Sequence, residues 1–258
     1  MKRILCLMLV GITALLQPLA AQEVAFQSGE KISYTVFYNV IGLYVNAGSA
    51  TFSALQKNGG PESVYHLVGE GVTNSRYDWI FKVRDRYESY YDLENQRPVK
   101  FIRNVQEGDY RKYEEVTFDH DNKVAVSSKG KVKLPHHVQD VISSIYYARN
   151  IDFSRMKPGD KVPFSMYLDN EVYNMYIRFV GYEKVKTRYG TFRAIKIKPL
   201  LLKGQTFNGG EDMSIWVSDD ANRIPVRIES PISVGTIKVD LMHYKNLKHP
   251  LSSLVALR

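Results

Sequence analysis

Lys31-Ile32-Ser33-Tyr34-Thr35-Val36-Phe37-Tyr38-Asn39-Val40 alternates along its length and is rich in β-branched and aromatic residues, the pattern of a strand. With a period of two, Ile32, Tyr34, Val36 and Tyr38 fall on one face. Ile41-Gly42 can reverse the chain, and Tyr44–Leu55 then reads as a second strand. Its small residues Ala47, Gly48, Ser49 and Ala50 leave room for another backbone or a helix to come close. Asn58-Gly59-Gly60-Pro61 turns into a third strand, Val64–Thr73.

The pattern continues outward. Val83–Leu93, Arg97–Gln106, Tyr110–Asp119 and Lys123–Ser128 carry strand signals, separated by the polar turns Glu107-Gly108-Asp109 and His120-Asp121-Asn122. Val162–Leu168, Val172–Lys186, Thr191–Leu202, Met213–Ser218, Ile224–Ser230 and Gly235–Asn246 follow. Two stretches break the rhythm. Tyr77-Asp78-Trp79-Ile80-Phe81 reads as a short helix or an aromatic loop. Val138–Asn150 reads as a helix, because Val138, Val141, Ile142, Ile145 and Tyr146 share one helical face. Asp140 in its first turn and Arg149 near its end both suit the helix dipole. Leu247–Arg258 reads as a loosely attached tail. Sequential hairpins favour a mainly β fold: a single curved antiparallel meander forming an open or half barrel, with one covering helix.

Met1-Lys2-Arg3, the apolar run Ile4–Leu16 and Gln17-Pro18-Leu19-Ala20-Ala21 read together as a signal peptide, cut after Ala21. The expected organisation is therefore a leader over 1–21 and one β-rich domain over 22–258, placed in the periplasm with no transmembrane anchor left. Cys6, the sole cysteine, lies in the leader, so the mature chain has no thiol for disulfides, metal binding or nucleophilic attack. Loss of Lys2 and Arg3 reduces the 35 basic residues to 33 against 27 acidic ones, a net charge of +6. These charges are mixed along the chain, which suits a solvated surface with an anionic envelope partner and not nucleic acid.

Two stretches match position for position: Asp92-Leu93-Glu94-Asn95-Gln96-Arg97-Pro98-Val99-Lys100-Phe101 and Asp219-Asp220-Ala221-Asn222-Arg223-Ile224-Pro225-Val226-Arg227-Ile228. Asp and Asn suit a turn, and Pro suits the first residue of a strand. The pair reads either as two equivalent rims around one opening or as convergent turn chemistry.

Gly29-Glu30-Lys31-Ile32-Ser33-Tyr34, Gly42, Gly48, Asp85-Arg86-Tyr87-Glu88-Ser89, the segment Asp140–Arg149, Gly181-Tyr182-Glu183, Tyr189-Gly190-Thr191-Phe192, Ile215–Asp220 and Ile224-Pro225-Val226-Arg227 occur in an order and spacing that resembles the DUF3108 family of exported bacterial proteins. The resemblance runs from Gly29 to Asn246. It implies export and a mainly β fold, and it brings no catalytic residues with it. More remotely, a curved sheet with a helix on its concave face is similar to the envelope lipoprotein-carrier folds, an analogy of fold alone.

Candidate chemistry is sparse. His136-His137 is poorly spaced for one metal if extended, since neighbouring side chains of a strand point apart. Ser143-Ser144 does not lie on a Gly-x-Ser-x-Gly elbow, although either serine could meet His243 and an Asp in space. Asp85, Glu88 and Asp92 alternate with Arg84 and Arg86, which favours cross-strand ion pairs over paired catalytic carboxylates. Asp219-Asp220 suits a turn. The expectation is no catalytic residue, no metal and no cofactor.

The excess is aromatic: 18 Tyr, 11 Phe and 2 Trp. Tyr34, Tyr38, Tyr87, Tyr91, Tyr146 and Trp216 are the candidate lining of a cavity between sheet and helix, and the same residues suit a β core. The leading functional expectation is non-catalytic binding or carriage of a lipid or other amphiphile. The alternatives are an interaction protein of envelope or surface-polysaccharide assembly, working through an exposed aromatic and basic surface, and a hydrolase of glycans or esters.

Overall fold

The computed structural model describes residues 24–257, apart from 41, 58–63, 204–208 and 233–234; the expected leader and the turn at 58–61 lie outside them. Fifteen strands form one antiparallel sheet: β1 (Glu30–Val40), β2 (Leu43–Lys57), β3 (Val64–Thr73), β4 (Arg84–Asp92), β5 (Arg97–Glu107), β6 (Tyr110–Asp119), β7 (Val124–Ser127), β8 (Gly130–Lys133), β9 (Lys161–Leu168), β10 (Glu171–Lys186), β11 (Gly190–Pro199), β12 (Ser214–Ser218), β13 (Pro225–Pro231), β14 (Thr236–Lys245) and β15 (Leu254–Leu257). The order across the sheet is β8-β7-β6-β5-β4-β3-β2-β1-β14-β13-β12-β11-β10-β9, with β15 on β11. Two meanders of local hairpins thus meet at β1 and β14, where Lys31 stands opposite Lys245.

The sheet curls without closing into a barrel. Its edges, β8 and β9, are brought near each other by side chains and by the segment leading into the helix. Gln139 forms a short parallel bridge to β9, its N–H donating to Ser165 O at 2.8 Å and its carbonyl accepting from Tyr167 N at 2.8 Å. Tyr167 packs edge-on against Phe118 of β6 at 5.5 Å. Asp169 and Asn170, both at positive φ (55° and 66°), make the two-residue turn between β9 and β10. Asp169 is ion-paired with Arg103 and Lys112, and Ser127 Oγ meets Asn170 Oδ1 at 3.1 Å.

The helix, α1 (Val141–Ala148), lies against β3, β4 and β9. It begins later than the periodicity suggests, because Gln139 is used as strand and Asp140 is the N-cap. Asp140 accepts from the N–H groups of Ile142 and Ser143, each at 2.8 Å, while Ser143 Oγ accepts from Asp140 N at 2.8 Å. This reciprocal box satisfies orphan donors of the first turn. The close approach of the helix is permitted by Gly69 of β3, not by the small residues of β2: a Cβ at Gly69 would stand 2.6 Å from Ile142 Cδ1. Gly48 instead faces the neighbouring backbone, 2.2 Å from Val72 O by the same measure.

Both copies of the Asp-x-x-Asn-x-x-Pro turn are hairpin turns with the fifth residue at positive φ, Gln96 at 49° and Arg223 at 45°. They hold the helical segment at both ends. Gln96 O accepts from Gln139 Nε2 at 2.8 Å, and Asn222 O accepts from Arg149 Nε at 2.9 Å. Arg149 also forms a two-pronged ion pair with Glu30, at 2.6 and 2.9 Å, and donates to Ala25 O at 3.0 Å. Val24, Ala25 and Phe26 are buried beside it.

Three sequence expectations change. β1 keeps its alternation, but burial does not follow one face: Val36 and Tyr38 are only half-buried, while Phe37 on the opposite face is buried beneath Arg188, whose guanidinium lies 4.1 Å from its ring centre. Gly130–Lys133 adds a short edge strand after Lys123–Ser128. The C-terminal segment is not loose: Leu247, Leu251 and Leu254 pack on the core, and Leu254–Leu257 pairs with β11.

Candidate functional site

Strands β2 to β6 present a polar surface whose rows follow from register. Thr51, Glu70, Arg86, Asn104 and Tyr113 stand opposite one another on five successive strands, so their side chains point to the same side. Ser49, Val72 and Arg84 make a second row, and Gln106 stands opposite Arg111. Together they border an open groove of about 710 Å³, with Asp85, Val105 and Lys112 at its margin.

Most of its charges are already paired. Arg86 reaches Glu70 at 2.5 Å and Glu88 at 2.8 Å, and Glu88 also meets His66 at 2.6 Å. Arg84 holds Asp78 at 2.6 Å. Lys112 turns to Asp169 across the seam. Arg111 makes no ion pair among the described residues, and the side-chain amides of Asn104 and Gln106 make no hydrogen bond among them. Tyr113, 65% exposed, shows its ring to solvent while its hydroxyl donates to Glu115 at 3.0 Å. Burial pushes the Asp85 carboxyl up to about 7, the nearby Glu107 adds to this, and the Gln106 N–H at 3.1 Å opposes it. The groove therefore offers a free guanidinium, two amides and an aromatic face. Such a set can hold anionic, hydroxyl-bearing ligands.

The six aromatic residues singled out in the sequence do not surround one space. Tyr34 and Trp216 belong to one core cluster, with Ile32, Phe192 and Val226. Tyr91 and Tyr146 belong to a second, with Phe26, Tyr65 and Leu67. Tyr87 packs against that second cluster and a third, and Tyr38 is half-buried on β1. Tyr34 and Tyr146 come together only around the Glu30–Arg149 pair, whose charges both hydroxyls feel. Burial pushes the hydroxyls of Tyr34, Tyr91 and Tyr146 well above the usual tyrosine range. Those of Tyr91 and Tyr146 have no hydrogen-bond partner among the described residues. Neither of the two concavities described, the groove and a smaller hollow of about 280 Å³ beside Phe37, Tyr44 and Arg188, is lined by any of the six.

Residues considered for hydrolysis are dispersed. Ser143 is used in the helix cap, Ser144 Oγ donates to Val141 O at 2.8 Å, and His243 stands on β14 opposite Ser33. Glu88 serves Arg86 and His66, while Asp92 serves Asn95 at 2.7 Å and Arg97 at 3.6 Å. Among the described residues no three His, Cys, Asp or Glu side chains are placed to hold a metal ion. The groove residues Asn104, Gln106, Arg111 and Tyr113 were not singled out in the sequence. Their signal was the polar alternation along Arg84–Glu88, Asn104–Gln106 and Arg111–Glu115.

The family described as "Protein of unknown function (DUF3108)" matches residues 33–242. No curated protein matches the chain. Among solved structures, a β-barrel-like protein of domain of unknown function DUF1849 from Brucella abortus is similar at a TM-score of 0.57 and 13% identity, covering 88% of this chain and 100% of its own. A candidate exported protein with YmcC-like fold from Bacteroides fragilis gives a TM-score of 0.36 and 14% identity, covering 86% of this chain and 99% of its own. A candidate lipoprotein from Parabacteroides distasonis gives 0.36 and 14%, covering 87% and 100%.

Proposed function

The chain belongs to the DUF3108 family, and on that premise we propose that it is a non-catalytic, exported protein of the cell envelope that binds an anionic, hydroxyl-rich polymer such as an envelope polysaccharide. The observation that carries this reading is the open groove of about 710 Å³ with its unpaired Arg111, the free amides of Asn104 and Gln106, and the exposed ring of Tyr113. A guanidinium recognises acid groups by paired hydrogen bonds, amides serve hydroxyls, and an aromatic face receives a sugar ring. Export to the periplasm rests on the leader read over 1–21.

The test is titration of the mature chain with oligogalacturonate, with neutral dextran as comparison. The acidic polymer is expected to bind and the neutral one not. Arg111→Glu combined with Tyr113→Ala is expected to weaken binding at least tenfold, with an unchanged melting temperature because both residues face solvent. Absence of binding, or binding indifferent to both substitutions, rules the groove out.

A second reading, carriage of a lipid or other amphiphile between sheet and α1, draws on the unpaired hydroxyls of Tyr91 and Tyr146. Buried hydroxyls are normally satisfied, and a ligand could supply the acceptor. The packed ring of Phe26, 4.9 Å from Tyr146, would then have to move. Native mass spectrometry of protein purified from its own envelope distinguishes the two, since only this reading expects a stoichiometric lipid adduct.

A further inference from the structure

Turns at alternate ends of a meander put the β1–β2 turn, the β3–β4 loop and the β5–β6 turn at the same end of the sheet. Hydrogen bonds tie them side by side: Asn74 N donates to Ala47 O at 2.8 Å, and Gly108 N to Lys82 O at 2.8 Å. This rim carries large apolar side chains in the open. Trp79 is 83% exposed, Ile80 62%, Phe81 51% and, on the neighbouring hairpin, Leu43 72% and Tyr44 45%. Scattered apolar residues on a surface are ordinary, whereas three in succession on a loop tip beside two more are a patch.

The loop is built to hold them there. Thr73 Oγ1 donates to Asp78 Oδ1 at 2.7 Å, and Arg84 grips the same carboxylate at 2.6 and 3.1 Å. Ile80 N and Phe81 N both donate to Tyr77 O, at 2.9 and 3.1 Å. The Phe81 ring lies against Gly108, where a Cβ would come within 3.0 Å of it. With its base fixed in this way, the tip projects Trp79 and Ile80 outward.

We propose that this rim docks on an anionic lipid bilayer, with Trp79, Ile80 and Phe81 seated at the level of the headgroups. Composition favours a bilayer over a protein. A run of three exposed apolar residues led by Trp79, with Tyr44 on the adjoining hairpin, suits the membrane–water interface, where Trp and Tyr are enriched. On the loop itself charge points the same way: Arg76 and Lys82 flank the apolar triplet and make no ion pair among the described residues, and Asp78 is held by Arg84, so the loop tip is positive, with Glu107 and Asp109 set apart on the neighbouring turn. Trp79, Ile80 and Phe81 do not line the groove, which adjoins the loop through Arg84, so substitutions at the tip test this surface alone.

The protein carries its own probe. Of its two tryptophans, Trp216 is buried and Trp79 is exposed, so a change of emission on adding lipid reports Trp79. The mature chain is mixed with vesicles of phosphatidylglycerol and phosphatidylethanolamine, or of phosphatidylcholine alone. Sedimentation with the anionic vesicles is expected, with a blue-shifted emission that brominated acyl chains quench. Trp79→Ser with Ile80→Ser, and separately Arg76→Glu with Lys82→Glu, are each expected to lower the bound fraction at least tenfold at unchanged melting temperature. No sedimentation, equal sedimentation with phosphatidylcholine, or binding that survives the Trp79 and Ile80 substitutions overturns the proposal. Capture of an envelope protein by the rim without vesicle binding overturns it as well.

Discussion

Asp85 stands one residue from two arginines, yet both turn away from it, because neighbours along a strand point to opposite sides. Arg84 and Arg86 serve Asp78, Glu70 and Glu88, and Asp85 is left with one backbone donor and with Glu107 nearby. Its pKa rises to about 7 from the ordinary carboxylate range. Between about pH 4, the unfolded value, and pH 7 the folded chain keeps a proton that the unfolded chain releases, so stability falls as pH rises through that window. Asp85→Asn keeps an acceptor for Gln106 N and removes the titration. It is expected to flatten the pH dependence of the melting temperature between pH 4 and 7 and to raise the melting temperature above pH 7, as read by thermal melts across pH. The alternation of charges in Arg84–Glu88 is legible in the sequence. The isolation of Asp85 is not, because it depends on which residues of β5 arrive opposite.

At the scale of elements, α1 shows how a helix of eight residues is held by its ends. Asp140 is fully buried, and burial lifts its carboxyl to about 6 despite donors from Ser89, Ile142 and Ser143. Asp140→Ala removes the cap and leaves the Ser89 hydroxyl unpaired, an expected loss of about 2–4 kcal/mol. Asp140→Asn, which can still cap, is expected to cost less than half of that by urea denaturation. The helix was legible from the spacing of Val141, Ile142, Ile145 and Tyr146, while its start was not, because Gln139 is recruited as strand by β9. The turn repeat was legible as chemistry but not as a clamp. A third turn, Asp119-His120-Asp121-Asn122 with Lys123 at φ 54°, repeats the bonds of the Asp92 copy, Asn122 N and Nδ2 donating to Asp119 at 2.9 and 2.7 Å, and lacks the proline that marks the other two; in the Asp219 copy Asn222 N donates to Asp220 instead. The burial of Phe37 was hidden for a similar reason: Arg188, which covers its ring, arrives from the turn between β10 and β11.

Across the whole molecule, the segment Val24–Glu30, the end of α1 and the β12–β13 turn converge on Arg149. Its guanidinium satisfies Glu30, Ala25 O and Asn222 O at once, in full burial. Glu30→Gln leaves that charge without its counter-ion, and an expected loss of about 3–5 kcal/mol follows, measurable by chemical denaturation. The mainly β, open half barrel with one helix was legible from the run of hairpins. The spread of the six aromatics over separate clusters was not, since the same tyrosines suit a cavity lining and a core, and only packing decides where each sits.

The pairing of β1 with β14 bears on the timetable of folding. Every other ladder on the main path joins strands that follow one another in the chain, so each half of the sheet can assemble from quick local hairpins. The central ladder must wait until residues as far apart as Lys31 and Lys245 meet, and the entropy of closing that loop is met before any of its hydrogen bonds form. The middle of the finished sheet is thus the last part to appear, and until it does each half exposes an unpaired edge to its neighbours in solution.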